Sequence, residues 1–133
     1  LGYIIDTDVC IDFLKGMDFA VELFSELLRE GEVFLSILTH YELLKGAYTE
    51  KERKIIKDFV SMFKILNLNG NIIFTASEFY RKYRKRGITL SNIDCLIMAT
   101  AKEYGLRIVT RNVRHYPENE LLSEFSRKLK GIE

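Results

Sequence analysis

Short apolar runs that each break off at polar residues, separated by longer stretches of helical periodicity, limit this chain more than any other feature. Tyr3-Ile4-Ile5 stops abruptly at Asp6-Thr7-Asp8, the pattern of a buried strand that finishes at a polar edge. Val9, Ile11, Phe13 and Leu14 suggest a short helix ending near Gly16, and Phe19, Leu23, Leu27 and Leu28 a longer one ending before Gly31. Val33-Phe34-Leu35 reads as a second strand. A helix carrying Leu38, Tyr41, Glu42 and Lys45 follows and closes around Gly46. Residues 50–63 read as a helix with Ile55, Ile56, Phe59 and Phe63 inward and Lys51, Arg53, Lys54 and Lys57 outward. Residues 64–68 fit a third strand. Asn71 is the expected cap of a helix reaching about Arg86 and closed by Gly87. Ser91 is the expected cap of a helix from Asn92 to Tyr104, closed by Gly105. Arg107-Ile108-Val109 is a further strand, Thr110-Arg111-Asn112 a polar loop, and Pro117 permits a last helix through about Lys130.

Strands alternating with helices predict an α/β fold with a central, mostly parallel sheet of four or five strands, because parallel neighbours need crossover helices. The length of 133 residues predicts one domain over 1–133. Such sheets bind ligands beyond the carboxyl ends of their strands, where Asp6 and Thr110 fall. The formal net charge of +1 removes any global field for nucleic acid, so a basic surface must come from local clustering. Cys10 and Cys95, with no CxxC pairing, fit a reducing, cytoplasmic setting. No apolar stretch is long enough to span a membrane. Asp6, Asp8 and Asp12 interrupt the place where an export signal would need an apolar run.

Three carboxylates stand out. Asp6 lies between a strand and a helix and is a natural N-cap, but Asp8 fits that role as well and leaves Asp6 free for another. Glu42 interrupts an apolar helix, where an unpaired carboxylate is costly. Thr39-x-x-Glu42 has capping-box spacing, with Ser36 competing as the cap. Ser91-x-x-Asp94 has the same spacing, yet Cys95 to Ala101 carry no charge, so Asp94 stands at the mouth of a buried helix N-terminus that favours an anion. A few carboxylates suffice for magnesium, which keeps several waters and can activate water against a phosphodiester.

These residues, with Ser36-Ile37-Leu38-Thr39-His40-Tyr41-Glu42-Leu43-Leu44-Lys45-Gly46, Gly87-Ile88, Asp94 to Ala101 and Gly105 to Asn112, make the chain resemble PIN domains. Within them it resembles the VapC-type toxins of toxin–antitoxin pairs, from residue 3 to about 116. The resemblance implies a Rossmann-like α/β/α sandwich and an endoribonuclease dependent on Mg2+ or Mn2+. It also implies a cognate VapB-type antitoxin as partner and a homodimer. Its metal ligands carry over to Asp6, Glu42 and Asp94. Its fourth acid falls on Asn112, which removes a charge, and Thr110 matches a supporting hydroxyl. Asn92 stands where many relatives have an acid. The helical reading of Glu120 to Lys130 departs from relatives that finish with a strand.

Among other features, Arg111 and Arg114 are candidates to bind substrate phosphate, since guanidinium matches it bidentately. Arg81 to Arg86 form a basic run that reads as a solvated helix face or as a phosphate-tracking patch, with Tyr80 or Tyr83 available to stack on bases. His40 faces away from Glu42 on a helix, His115 lies just beyond the site loop, and Cys95 has no histidine to activate it. Three rivals remain open. One is an aspartyl-nucleophile phosphatase, suggested by Asp6-Thr7-Asp8. Another is a degenerate PIN module that binds RNA or protein, suggested by Asn112. The third is an RNA-processing PIN nuclease.

Overall fold

A computed structural model describes residues 1–129. The strands are β1 (Gly2–Ile5), β2 (Glu32–Ser36), β3 (Lys64–Leu66) and β4 (Arg107–Val109). The helices are α1 (Thr7–Leu14), α2 (Asp18–Glu30), α3 (Ile37–Lys45), α4 (Glu50–Val60), α5 (Gly70–Arg84), α6 (Asn92–Tyr104) and α7 (Glu124–Leu129). The strands form one sheet in the order β3-β2-β1-β4. Every pairing is parallel, with Tyr3 opposite Val33 and Ile5 opposite Val109. The expected α/β architecture with a parallel sheet is therefore present. From β1 the chain steps outward to β2 and β3, then crosses back to place β4 on the other side of β1. The β1/β4 boundary is thus the switch point, where strand direction leaves a crevice beyond the carboxyl ends.

Alternation along each strand divides the interior into two cores. Tyr3, Ile5, Val33, Leu35 and Val109 face α1, α2, α4 and α7, while Ile4 and Ile108 face α5 and α6. The first core is filled by Phe13, Phe24, Phe59 and Phe63, whose neighbouring ring centroids lie 4.7 to 6.0 Å apart. Phe24 and Phe59, both buried, each contribute about 1.5–3 kcal/mol through burial, and the half-buried Phe13 and Phe63 less. The second core centres on α6, where Cys95 and Ile97 to Ala101 are all buried, as expected of a helix whose central stretch, Cys95 to Ala101, carries no charge. α6 ends at Gly105 in a left-handed conformation, φ 66°, which glycine adopts without steric cost. Among the described residues no helix is long and apolar enough to cross a membrane.

Several boundaries differ from the sequence expectations, and β3 is one, ending at Leu66 instead of reaching residue 68. Asn69, not Asn71, caps α5: its side chain accepts from Ile72 N at 3.0 Å, and Asn71 sits inside the first turn. α4 ends at Val60, and residues 61–63 turn tightly into β3 instead of extending the helix. The tail is not one long helix after Pro117. It makes 3-10 turns at Val113–His115 and Asn119–Leu121, then a parallel bridge from Leu122 to Ile108, and only then α7. The physical reason is the open edge of β4. Ser123 N and Ser126 Oγ both donate to Ile108 O, at 2.9 and 2.8 Å, satisfying a carbonyl that a helix from residue 118 would leave bare. Lys130 lies outside the described residues.

Candidate active site

Beyond the carboxyl ends of β1 and β4 lies an open cavity of about 590 Å3, lined among others by Asp6, Asp8, Glu42, Asp94, Asn112 and His115. Four different elements deliver these side chains, so the sequence-distant carboxylates share one space.

Asp6 ends β1 and caps α1, and both sequence readings of it hold at once. Its Oδ1 accepts from Thr7 N at 2.8 Å, and its Oδ2 accepts from the Thr110 hydroxyl at 2.8 Å. Thr110 is fully buried and is held in turn, its backbone N donating to Ser126 Oγ at 2.9 Å and its Oγ1 accepting from Asn112 N at 3.0 Å. Burial, followed by the negative charge of Asp8, pushes the Asp6 carboxyl up to about 7. Asp8, weighed in the sequence as a cap, also turns into this cavity. Its Oδ1 accepts from Val9 N at 2.7 Å; its Oδ2 accepts from Arg111 N at 3.1 Å and from Asn112 Nδ2 at 2.9 Å. Burial raises its carboxyl as well.

Glu42 does not close a capping box with Thr39. Ser36 caps α3 by accepting from Leu38 N, Thr39 is fully buried, and Glu42 Oε1 lies 2.7 Å from Thr7 Oγ1, which donates to it. Asp94 stands in the first turn of α6, where Ser91 Oγ accepts from its backbone N at 3.0 Å. Its carboxylate faces His115, with Nδ1 3.7 Å from Oδ2. Thr7 and Thr110 are therefore the hydroxyls that orient Glu42 and Asp6.

Two groups were not found by sequence reasoning. Tyr116 is completely buried, and its hydroxyl makes no hydrogen bond of good geometry among the described residues. Burial first, then the charges of Asp6 and Asp94, push this phenol well above its ordinary value. Asp12, also buried, pairs with the Arg111 guanidinium, Nε to Oδ2 at 2.5 Å. Arg111 is therefore committed to the floor of the site loop, whereas Arg114 is exposed on the adjacent turn. In the basic run, Tyr83 is buried and donates to Glu118, which Lys82 also contacts at 2.8 Å, so Tyr83 is not available to stack on a base. Tyr80 remains exposed.

The donor set around the cavity is all oxygen apart from His115, which suits a hard divalent cation. Among the described residues no three carboxylate, imidazole or thiol groups converge tightly enough to hold an ion unaided. An ion here would complete its shell with water, as magnesium habitually does. Burial, then the charge of Asp8, lifts Asp6 to about 7, and a cation here would offset both.

Comparison with known proteins follows the same lines. The PIN domain family model matches residues 3–117. The chain belongs to the PIN-domain family. Similar curated relatives are VapC proteins. The Ribonuclease VapC19 of Mycobacterium tuberculosis is 33% identical over 115 residues, covering 86% of this chain and 91% of that one. The Ribonuclease VapC1 of Methanocaldococcus jannaschii is 29% identical over 126 residues, covering 95% and 85%. In fold, this PIN domain matches VapBC2 of Rickettsia felis, solved bound to a DNA fragment from its promoter, with TM-score 0.80, 20% identity and coverage of 92% and 96%. The family match leaves no place for the aspartyl-nucleophile phosphatase reading of Asp6-Thr7-Asp8.

Proposed function

We propose that this PIN domain is an endoribonuclease that hydrolyses RNA phosphodiesters with Mg2+ or Mn2+, and that it is the toxin of a toxin–antitoxin pair. The observation that carries the reading is the meeting of Asp6, Glu42 and Asp94 in one cavity at the sheet's switch point. The relatives named ribonucleases supply the reaction class. Asp6, Glu42 and Asp94 are the metal ligands, and Asn112 contributes a neutral oxygen. A divalent ion held there would supply Lewis acidity and a water acidic enough to act as nucleophile near neutral pH.

The chain's own residues perform the rest. Thr110 and Thr7 lock Asp6 and Glu42 into one rotamer each, so ligand geometry is set before substrate arrives. The N-terminus of α6 turns its partial positive charge toward the end of the cavity where Asp94 stands. Arg114, exposed beside the cavity, binds a substrate phosphate. Arg111, anchored on Asp12, holds the loop that carries Asn112. The partner is a VapB-type antitoxin, in keeping with the VapBC complex of the same fold, and the working unit is a homodimer in the cytoplasm.

Induced expression in a bacterial host tests the toxin reading. Growth should stop on induction, Glu42→Gln should relieve the arrest, and co-expression of the antitoxin should do the same for the parent. Arrest that persists in Glu42→Gln at equal protein level contradicts the nuclease origin of toxicity.

A further inference from the structure

The resemblance leaves this site one acid short, because Asn112 stands at the fourth acidic position. The structure shows what lies against that position. Asn112 Nδ2 donates to Asp8 Oδ2 at 2.9 Å, and both side chains line the cavity. We propose that Asp8 supplies the missing negative charge of the metal centre, and that Asp8 and Asn112 together do the work of a single fourth carboxylate. This rests on the metal-dependent reading above.

Three observations support the division of labour. First, Asp8 is held in place over the cavity. Backbone N–H groups of Val9 and Arg111 and the side-chain amide of Asn112 all donate to it, at 2.7, 3.1 and 2.9 Å, which fixes its carboxyl group beside Asn112. Nothing in helix capping requires this set, because Asp6 already caps α1. Second, the Asp8 contact fixes the amide of Asn112. With Nδ2 committed to a carboxylate and backbone N committed to Thr110 Oγ1 at 3.0 Å, the remaining polar atom of the side chain is Oδ1, a neutral acceptor that suits a hard cation or its water. Third, a polar group beside this cluster has no well-formed hydrogen bond. The Tyr116 hydroxyl is fully buried and lies against Asp6 without a hydrogen bond of good geometry among the described residues, and it feels the charges of Asp6, Asp94 and Asp8. A buried hydroxyl next to several carboxylates finds a partner in a bound ion's water shell.

Exchanging the two residues tests this. Calorimetric titration of MnCl2 into the EDTA-stripped, dialysed protein is compared for the parent, Asp8→Asn, and Asp8→Asn/Asn112→Asp, without RNA. Circular dichroism checks that each is folded. Asp8→Asn should weaken Mn2+ binding by about 10-fold or more, the range expected when a partner that orients a ligand is lost. The double variant restores the charge at the neighbouring position and should recover most of the parent affinity. If Asp8→Asn binds Mn2+ like the parent, or if the folded double variant binds no better than Asp8→Asn, Asp8 is not the fourth acid. A parent that binds no Mn2+ at all overturns the metal-dependent reading itself, and this inference with it. Should Asp8→Asn fail to fold, parent affinity in the double variant still supports the proposal, and affinity reduced about 10-fold there refutes it.

Discussion

Replacing Asp6 by asparagine should stabilise the metal-free protein at alkaline pH and weaken it slightly at acid pH. The Asp6 carboxyl lies at about 7 in the folded chain, against an ordinary value of 3.8, chiefly through burial and the charge of Asp8. Between those limits the folded state holds a proton that the unfolded state has lost, so stability falls as pH rises through that window. A shift of this size at 1.36 kcal/mol per unit corresponds to about 4 kcal/mol lost by pH 8, an upper value for a pair that shares its proton with Asp8. Asparagine removes the charge but can accept only one of the two hydrogen bonds that Asp6 accepts, from Thr7 N and from Thr110, at a cost of about 1 kcal/mol. The balance at pH 8 is a gain of roughly 1–3 kcal/mol, or several degrees in melting temperature for a chain of this size. At pH 3, below the ordinary value of 3.8, Asp6 is protonated in the folded and unfolded chain alike, so only the lost hydrogen bond remains and the variant should melt slightly lower. Thermal melts of both proteins in EDTA at the two pH values decide the matter. An Asp6→Asn protein that melts below the parent at both would show that the ionised carboxylate stabilises the fold as a cap, refuting the electrostatic reasoning.

Other consequences follow from single contacts. Asp6→Asn should also lose most of the stabilisation that added MnCl2 gives the parent, because that gain depends on affinity for the folded state; a retained melting shift would place Asp6 outside the metal shell. Asn112→Asp should tighten Mg2+ binding by adding a charged ligand while lowering the EDTA melting point through repulsion from Asp8, 2.9 Å from the present amide; calorimetry and melting report the two effects separately. Tyr83→Phe should cost about 1–3 kcal/mol in urea unfolding, because it strips a donor from the buried Glu118. Gly31→Ala should destabilise by disturbing the α2–β2 junction, since a Cβ there would come within 1.9 Å of Leu1 O; an unchanged denaturation midpoint would show that the backbone at Leu1 shifts to make room.

The parallel sheet and the places where strands end were legible because burial on both faces leaves a strong mark: Tyr3-Ile4-Ile5 cannot be anything but interior, and its abrupt end at Asp6 marks the polar rim. The caps at Ser36 and Ser91 were legible for a local reason, since a hydroxyl directly before an apolar periodic run has little else to do. Asn69 and Asn71 are equivalent on local grounds, and only the register of Ile72 on Ala76 and Phe79 in the second core chooses between them. The tail was misread because its structure answers to a distant acceptor. Leu122 and Ser123 bond Ile108 across the sheet edge, and no periodicity within residues 118–130 encodes that. In the site, Asp6, Glu42, Asp94 and Asn112 were legible through the resemblance, and Thr110 with them. Asp8 was seen as a cap because chain neighbours cannot reveal Arg111 N and Asn112, which reach it from across the sheet. Tyr116 carries no mark in its surroundings, and Arg111 looked like a phosphate ligand until Asp12 was found under it.

The central claim is that Asp6, Glu42 and Asp94 hold a divalent ion that drives RNA hydrolysis, and cleavage of a labelled single-stranded RNA by the purified protein tests it most directly. With MgCl2 or MnCl2 the parent should cut. EDTA should stop it and added metal restore it. Asp94→Asn should be inactive with an unchanged circular dichroism spectrum, because its backbone N still donates to Ser91 and only the carboxylate is lost. Full cleavage in EDTA, or by a folded Asp94→Asn protein, would contradict the account.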